Sequence, residues 1–343
     1  MKKSFVLLAL AAAAATTAQA QTTNVTLFGI VDASLRQVKN GGDSVSSLAS
    51  GGINSSRLGV RGVEDLGGGL RAGFWLEHGF NLDTGTQTDS ARFWNRRSTV
   101  SLIGGFGEVR LGRDFTPIYT AWSDFDAFGD NGVGAGGKFS DRVGTNADTL
   151  TRSDNQVSVF LPALGGVYGQ LSVAAGEGTA GRKLTAARVG YAAGPLNVTL
   201  ALGRTDVTTV GGQDQLDTTV VGGSYDLGFA RLMGSWRQNE FGSAKVSVTS
   251  IGATVPMGSG TVRVSFTRAD GKGRTPAGTL IDANDADQIA LGYVHALSKR
   301  TSIYASYARV ANDGNATYAV GTPPALGAGA TSTGAEFGVR HSF

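Results

Sequence analysis

The chain has 343 residues, of which 52 are glycine, 7 proline and none cysteine; 17% are charged, and the formal net charge is +3. The lack of cysteine excludes disulfides, thiol nucleophiles and Cys-ligated metal sites. The near-neutral balance argues against nucleic acid as a partner, and no Gly-X-Y triplet repeat points to collagen.

In chain order, the first element is a leader. Lys2 and Lys3 precede an apolar run from Phe5 to Ala15, and Ala18-Gln19-Ala20 is a small-x-small cleavage site. This pattern predicts a signal peptide over residues 1–20, too short to cross about 30 Å of hydrocarbon as a helix. Removing 20 of 343 residues leaves 323, and losing Lys2 and Lys3 takes the charge from +3 to +1. No later stretch reaches the eighteen apolar residues of a transmembrane helix.

Past the leader the dominant period is two. Val25, Leu27, Val31 and Leu35 alternate with Thr26, Phe28, Asp32 and Arg36. Leu70, Ala72, Phe74 and Leu76 alternate with Arg71, Gly73, Trp75 and Glu77. Leu196 to Gly203 and Thr261 to Thr267 repeat the pattern. Such alternation marks strands with one apolar and one mostly polar or small face. At the far end, Phe337 and Val339 share a face with Phe343, the final residue. That suits a strand whose outside meets lipid, with an aromatic at the interface.

Seven short turns punctuate the strands, at residues 65–68, 104–107, 164–166, 193–195, 226–228, 257–260 and 297–299; all but the last contain glycine. Seven hairpins plus one strand at each end predict sixteen strands. Eight longer polar segments, near residues 39–53, 82–91, 115–154, 176–182, 205–214, 239–243, 270–286 and 312–332, lie between the turns. Short turns on one side and long loops on the other are the asymmetry of an outer-membrane barrel. A soluble sandwich would scatter its loop lengths over both ends. The reading is all-β: a 16-stranded antiparallel transmembrane barrel, one domain over residues 21–343, with short periplasmic turns and long outer loops.

Specific motifs then resemble a family. The run Ser56-Arg57-Leu58-Gly59-Val60-Arg61-Gly62-Val63-Glu64-Asp65-Leu66-Gly67-Gly68-Gly69-Leu70 is similar to the second and third strands of general, non-specific Gram-negative porins of the beta-proteobacterial type. Asn24–Asp32 resembles their first strand, Phe106–Arg113 their fifth, Leu297–Thr301 their last short turn, and the C-terminal strand matches as well. The resemblance implies an outer-membrane homotrimer and a third outer loop folded into the barrel. It also implies that Phe343 is read by the barrel-assembly machinery.

Sixteen strands leave an aqueous lumen, so something must narrow it. The longest internal segment, Phe115 to Asp154, is the candidate. Its acids are Asp124, Asp126, Asp130, Asp141 and Asp148, and Asp126-Ala127-Phe128-Gly129-Asp130 loosely resembles the family's loop-tip motif without its Pro-Glu pair. The opposite wall is assigned to Arg36, Arg57, Arg61, Arg71, Arg97 and Arg110, which alternation places on the face away from lipid. An arginine facing lipid at mid-depth costs about 2–4 kcal/mol. Arg231, Arg237 and Arg263 also fall on inward faces, farther from the loop in chain order. Carboxylates facing guanidiniums across a narrow pore set up a transverse field. Six wall arginines against five loop acids, offset by Lys138, Arg142 and Arg152, predict a mild anion preference.

The expected function is passive diffusion of small hydrophilic solutes and ions, with the bilayer and lipopolysaccharide as surroundings and no cofactor, metal or nucleic acid. Two alternatives are weaker. A barrel enzyme would need an inward histidine beside serine or aspartate, but His78, His295 and His341 all fall on outward faces. A sugar-specific channel would want a ladder of lumen aromatics, and only Phe28, Trp75 and Phe160 offer themselves. The acidic run Asp282–Asp287 lacks the glycine and glutamate of a calcium loop and reads as a solvated outer loop, with a divalent bridge to lipopolysaccharide as the functional alternative.

Overall fold

The computed structural model describes residues 24–343; the leader expected over residues 1–20 lies outside them. The strands are β1 (Asn24–Asn40), β2 (Asp43–Ser50 and, after an interruption, Arg57–Gly67), β3 (Leu70–Gly79), β4 (Arg97–Gly104) and β5 (Gly107–Phe115). They continue as β6 (Arg152–Phe160), β7 (Val167–Ala174), β8 (Lys183–Ala193), β9 (Leu196–Val210), β10 (Gln213–Asp226) and β11 (Arg231–Phe241). The last are β12 (Ala244–Met257), β13 (Gly260–Lys272), β14 (Ala286–Ala296), β15 (Thr301–Asn312) and β16 (Ser332–Ser342). Both pieces of β2 pair with β1 and so form one stave, making sixteen in all.

Every strand is antiparallel to the next, and β16 returns to β1 with Ile30 opposite Ser342 and Asn40 opposite Ser332. Gly29 and Phe343 exchange two backbone hydrogen bonds of 3.0 Å, so the terminal aromatic sits within the closing seam. Closure leaves no edge strand, the condition for sheet in a bilayer. Alternation holds as expected. Leu27, Leu35, Leu202 and Phe337 are exposed on the outer face, while Asp32, Ser34, Thr199 and Glu336 are buried within.

The turns follow the glycines: Gly67, Gly68 and Gly69 adopt φ of +82°, +61° and +81° between β2 and β3, a region closed to most side chains. The outer ends differ from expectation at three places. Residues 39–53, 205–214 and 239–243 are largely strand, closing in tight turns at Gly41-Gly42, Gly211-Gly212 and Gly242-Ser243. Polar sequence above the membrane pairs as readily as apolar sequence within it, so polarity overstated loop length there.

The core lies inside the barrel. Leu216, Val246, Val248, Ala269, Ala290 and Val310 make the inward face of β10–β15 apolar, and Phe125, Phe128, Val133 and Phe139 from the long segment between β5 and β6 pack on it. Burying each large side chain contributes roughly 1.5–3 kcal/mol toward holding the segment inside the lumen.

Candidate functional site

The inward segment begins with helix α1 (Pro117–Ser123). Thr116 caps it, its Oγ1 accepting the Tyr119 N–H at 3.2 Å, and Pro117 occupies the first turn, where no N–H is needed. Ile118, Ala121 and Trp122 bury against β8–β10. Wall glycines permit this close approach: a Cβ on Gly222 would stand 2.4 Å from Phe125 and 2.5 Å from the Ala121 carbonyl.

Polar contacts fix the loop at both ends and at its tip. Arg188 of β8 holds Asp124 at 2.7 Å. Glu336 of β16 accepts the Val133 N–H at 3.2 Å and is itself held by Arg36 at 2.8 and 3.0 Å. Lys138 Nζ donates to Gln288 Oε1 at 2.5 Å, and Gln288 Nε2 returns a bond to the Gly134 carbonyl at 3.1 Å. Tyr318, beyond β15, stacks obliquely on Phe139 with ring centroids 5.0 Å apart and donates to Asp141 at 3.3 Å.

The loop thereby covers β8–β16 and leaves the passage along β1–β6, where the arginines stand. Arg57 and Arg96 share Glu77, at 3.3 and 2.5 Å. Arg61 caps the edge-to-face pair of Phe28 and Trp75, 5.2 and 4.8 Å from ring centroids that are 5.3 Å apart, with no carboxylate partner among the described residues. Arg97 covers the Trp75 ring at 4.4 Å and approaches Asp114 at 3.4 Å. Arg110 bonds Glu108 at 2.8 Å and Asp114 at 2.7 Å and lies over Phe160 at 4.2 Å. Arg152 lies over Phe115 at 4.0 Å and donates to the Arg96 carbonyl at 2.9 Å. A lumen cavity of about 520 Å³ is bordered by Arg61, Arg97, Arg110, Trp75, Thr26 and Thr99.

The structure thus brings Arg57, Arg61, Arg97 and Arg110 together. Arg36 is inward but ties the loop tip. Arg71 is inward by alternation yet exposed at the periplasmic rim, opposite Asp65, with no ion pair among the described residues. The loop acids differ in employment. Asp126 accepts the N–H groups of Phe128, Asp130 and Gly136 at 2.9, 3.2 and 2.9 Å, and Asp130 accepts Tyr119 Oη–H at 3.0 Å and Gly137 N–H at 2.8 Å. Asp141 accepts Val143 N–H at 2.6 Å, and Asp148 lies at the outer mouth, 3.6 Å from Arg182. Of the assigned acids, Asp126, Asp130 and Asp141 hold the loop's own fold, while Asp124, paired with Arg188, and Asp148 at the mouth remain about half-exposed. Burial, with Asp126 nearby, raises the Asp130 carboxyl to about 6, and burial lowers the Lys138 ammonium to about 8.

Sequence reasoning missed Arg96 as a wall residue, because it sits one position before a strand, and used Arg152 only as a loop offset. It also missed Glu77, Glu108, Asp114 and Glu336, the wall's own counter-charges; Glu77 shares the inward parity of Trp75 and was legible there. Arg237, ranked low from sequence, is buried beneath the loop against the Trp122 ring at 4.6 Å. Asp282 and Asp285 accept backbone N–H groups of Gly273 and Gly271, and no group of three metal-ligating side chains occurs among the described residues.

A Gram-negative porin family model matches residues 7–315. Outer membrane porin protein 32 of Delftia acidovorans is 39% identical, with all of both chains covered. An outer membrane porin of Bordetella pertussis is 30% identical over 90% of this chain and 94% of its own. Among solved structures, an anion-selective porin from Comamonas acidovorans superimposes with a TM-score of 0.85 at 37% identity, covering 94% of this chain and 100% of that one. The trimer form of OmpT from Vibrio cholerae gives 0.70 at 19% identity over 94% and 100%, a likeness of fold alone.

Proposed function

The chain belongs to the Gram-negative porin family, and from that premise we propose that its outer-membrane channel favours anions through guanidiniums held on aromatic faces. The channel is a water-filled barrel through which small hydrophilic solutes and ions pass by diffusion, without a catalytic step. Arg61 over the Phe28–Trp75 pair, and Arg152 on Phe115, carry this reading. A carboxylate partner would cancel their field; an aromatic face holds a guanidinium while leaving its charge available to the lumen. Arg57, Arg96, Arg97 and Arg110 add donors whose charges are partly offset by Glu77, Glu108 and Asp114. Asp124 of the loop is already paired with Arg188 of β8 and offsets that guanidinium.

The solved Comamonas acidovorans porin is itself described as anion-selective, which supports the same preference here. Assembly as a homotrimer, recognition of Phe343 by the barrel-assembly machinery and removal of residues 1–20 complete the proposal. The deciding experiment is a reversal potential in a tenfold salt gradient across a planar bilayer. An anion-side potential is expected; a cation-side potential would overturn the preference.

A further inference from the structure

The interruption of β2 turns into the lumen and meets the loop tip. In the ladder with β1, Ala33 is opposite Ser50 and Ile30 is opposite Arg57, so Val31 and Asp32 face the six residues 51–56. Backbone outside a ladder is tolerated at membrane depth only where it lies against protein or lines water. Gly52, Ile53 and Ser56 are buried, and the Ser55 hydroxyl donates to Asn131 Oδ1 of the tip at 3.2 Å. The Ser55 carbonyl accepts Arg57 Nε at 3.0 Å, so one residue joins the arginine wall to the loop.

Asp32 holds this turn. Its Oδ1 accepts the Gly52 N–H at 3.1 Å, and its Oδ2 accepts those of Ile53 and Asn54 at 2.9 and 2.7 Å. Tyr304 of β15 reaches across Gly338 of β16 and donates its hydroxyl to Oδ1. The Asp32 N–H donates to Ser56 Oγ at 3.0 Å, and its carbonyl accepts the Gly51 N–H at 2.9 Å. Asp32 is fully buried and has no ion pair among the described residues, although Arg340 stands opposite it in register. A buried carboxylate is costly unless its oxygens are satisfied, and here three backbone donors and a phenol satisfy them. Two glycines complete the fit. A Cβ on Gly52 would collide with the Tyr304 hydroxyl, and one on Gly132 of the tip, at φ +66°, would collide with the Gly52 carbonyl and Glu336.

We propose that residues 51–56 form a second jaw of the constriction, fixed by Asp32 as a positioning residue, and that this jaw sets the size limit for uncharged solutes. The loop tip stands between two supports, Glu336 from β16 and the turn from β2. Both rest on β1, through Arg36 and Asp32. The jaw reads Gly51-Gly52-Ile53-Asn54-Ser55-Ser56 and carries no charge, so it restricts width without adding to the field of the arginines. The inference rests on the diffusion channel and not on its preference for anions.

The test measures swelling of liposomes carrying the intact barrel in arabinose, glucose, sucrose and raffinose. Deleting residues 52–55 leaves two residues of β2 facing two of β1, so register and inward parity survive. The sucrose rate relative to arabinose is expected to rise about threefold or more in this deletion, since passage of neutral solutes follows pore width. Asp32→Ala, in which the turn loses its acceptors, should raise the ratio in the same way. Asp32→Asn keeps an oxygen for Ile53 and Asn54 and an amide donor for Tyr304, and should keep the wild-type ratio; a merely destabilised barrel would show no such split. Should Asp32→Ala fail to fold, the deletion and Asp32→Asn decide. An unchanged ratio in the folded deletion variant, or a ratio in Asp32→Asn raised as far as in Asp32→Ala or the deletion, overturns the proposal. Neutral sugars are blind to ion preference, so a failure here is distinct from a failure of that reading.

Discussion

Glu336 of the closing strand accepts the backbone N–H of Val133 at 3.2 Å, joining the barrel seam to the tip of the inward loop across 203 positions of sequence. The same carboxylate is bound by Arg36. Its side chain is 1% exposed, so the bond is shielded from competing water.

Glu336→Ala therefore strands both a guanidinium and a backbone donor. Breaking a buried pair from one side costs about 3–5 kcal/mol. The loss should appear as a lower unfolding temperature in detergent and as excess noise in the open-channel current. Glu336→Gln keeps an acceptor for Val133 and should recover most of the quiet current. Equal noise in the wild-type and alanine channels would show that the tip is held by packing alone.

Trp75 contacts two cations, Arg61 and Arg97, at 4.8 and 4.4 Å from its ring centroid. Replacing it with alanine should widen the lumen yet weaken selectivity, since both guanidiniums lose a contact of about 0.5–2 kcal/mol and gain mobility. Reversal potential and single-channel conductance together read this: conductance up, anion preference down. If preference is retained, the aromatic faces do not position the charges.

Arg57→Ala and Arg71→Ala separate constriction from rim. Both were assigned to one wall from alternation, but Arg57 lies beside Glu77 and Arg96, whereas Arg71 is exposed two residues from the periplasmic turn. Arg57→Ala should shift the reversal potential by several millivolts or more toward cations, and Arg71→Ala by less than half as much. Equal shifts would return the two residues to a common role.

Asp130 makes the loop lose stability as pH rises through its raised carboxyl range. Its carboxyl is raised from 3.8 to about 6, first by burial and then by Asp126, against the hydrogen bonds from Tyr119 and Gly137 and the charge of Arg237. A raised carboxyl binds its proton more tightly folded than unfolded, so stability is greatest below about pH 4 and is lost as pH rises through 6. The shift corresponds to about 3 kcal/mol at most. Asp130→Asn should flatten the dependence of urea unfolding between pH 4 and 7 and stabilise the protein at pH 8. A wild-type slope persisting in that variant would assign the titration elsewhere.

Much of this protein was legible in one dimension because a barrel in lipid imposes a local rule. Every strand must put grease outside, so period two and the seven short turns were enough for sixteen staves and for the inward parity of Arg57, Arg61, Arg97 and Arg110. The same rule hid the inner apolar wall. Val246 and Val248 alternate with Lys245 and Ser247, a pattern that reads as an ordinary strand whichever face meets lipid. The three overlong loops failed for a related reason: no lipid constrains the chain above the membrane.

Sequence alone thus determined the strand count, the sidedness of the barrel and the arginine-rich arc, since each depends on residues a fixed spacing apart within one or two strands. The fold decided what those arginines face, and how. Glu77, Glu108 and Asp114 offset some of them, Phe28, Trp75 and Phe115 hold others flat, and Asp126 and Asp130 are absorbed by their own loop. Those outcomes depend on closure, which brings β16 beside β1 and packs residues 116–151 against strands from 56 to 203 positions away. A charge's partner is fixed by distance in space, and nothing in the spacing of one strand encodes it.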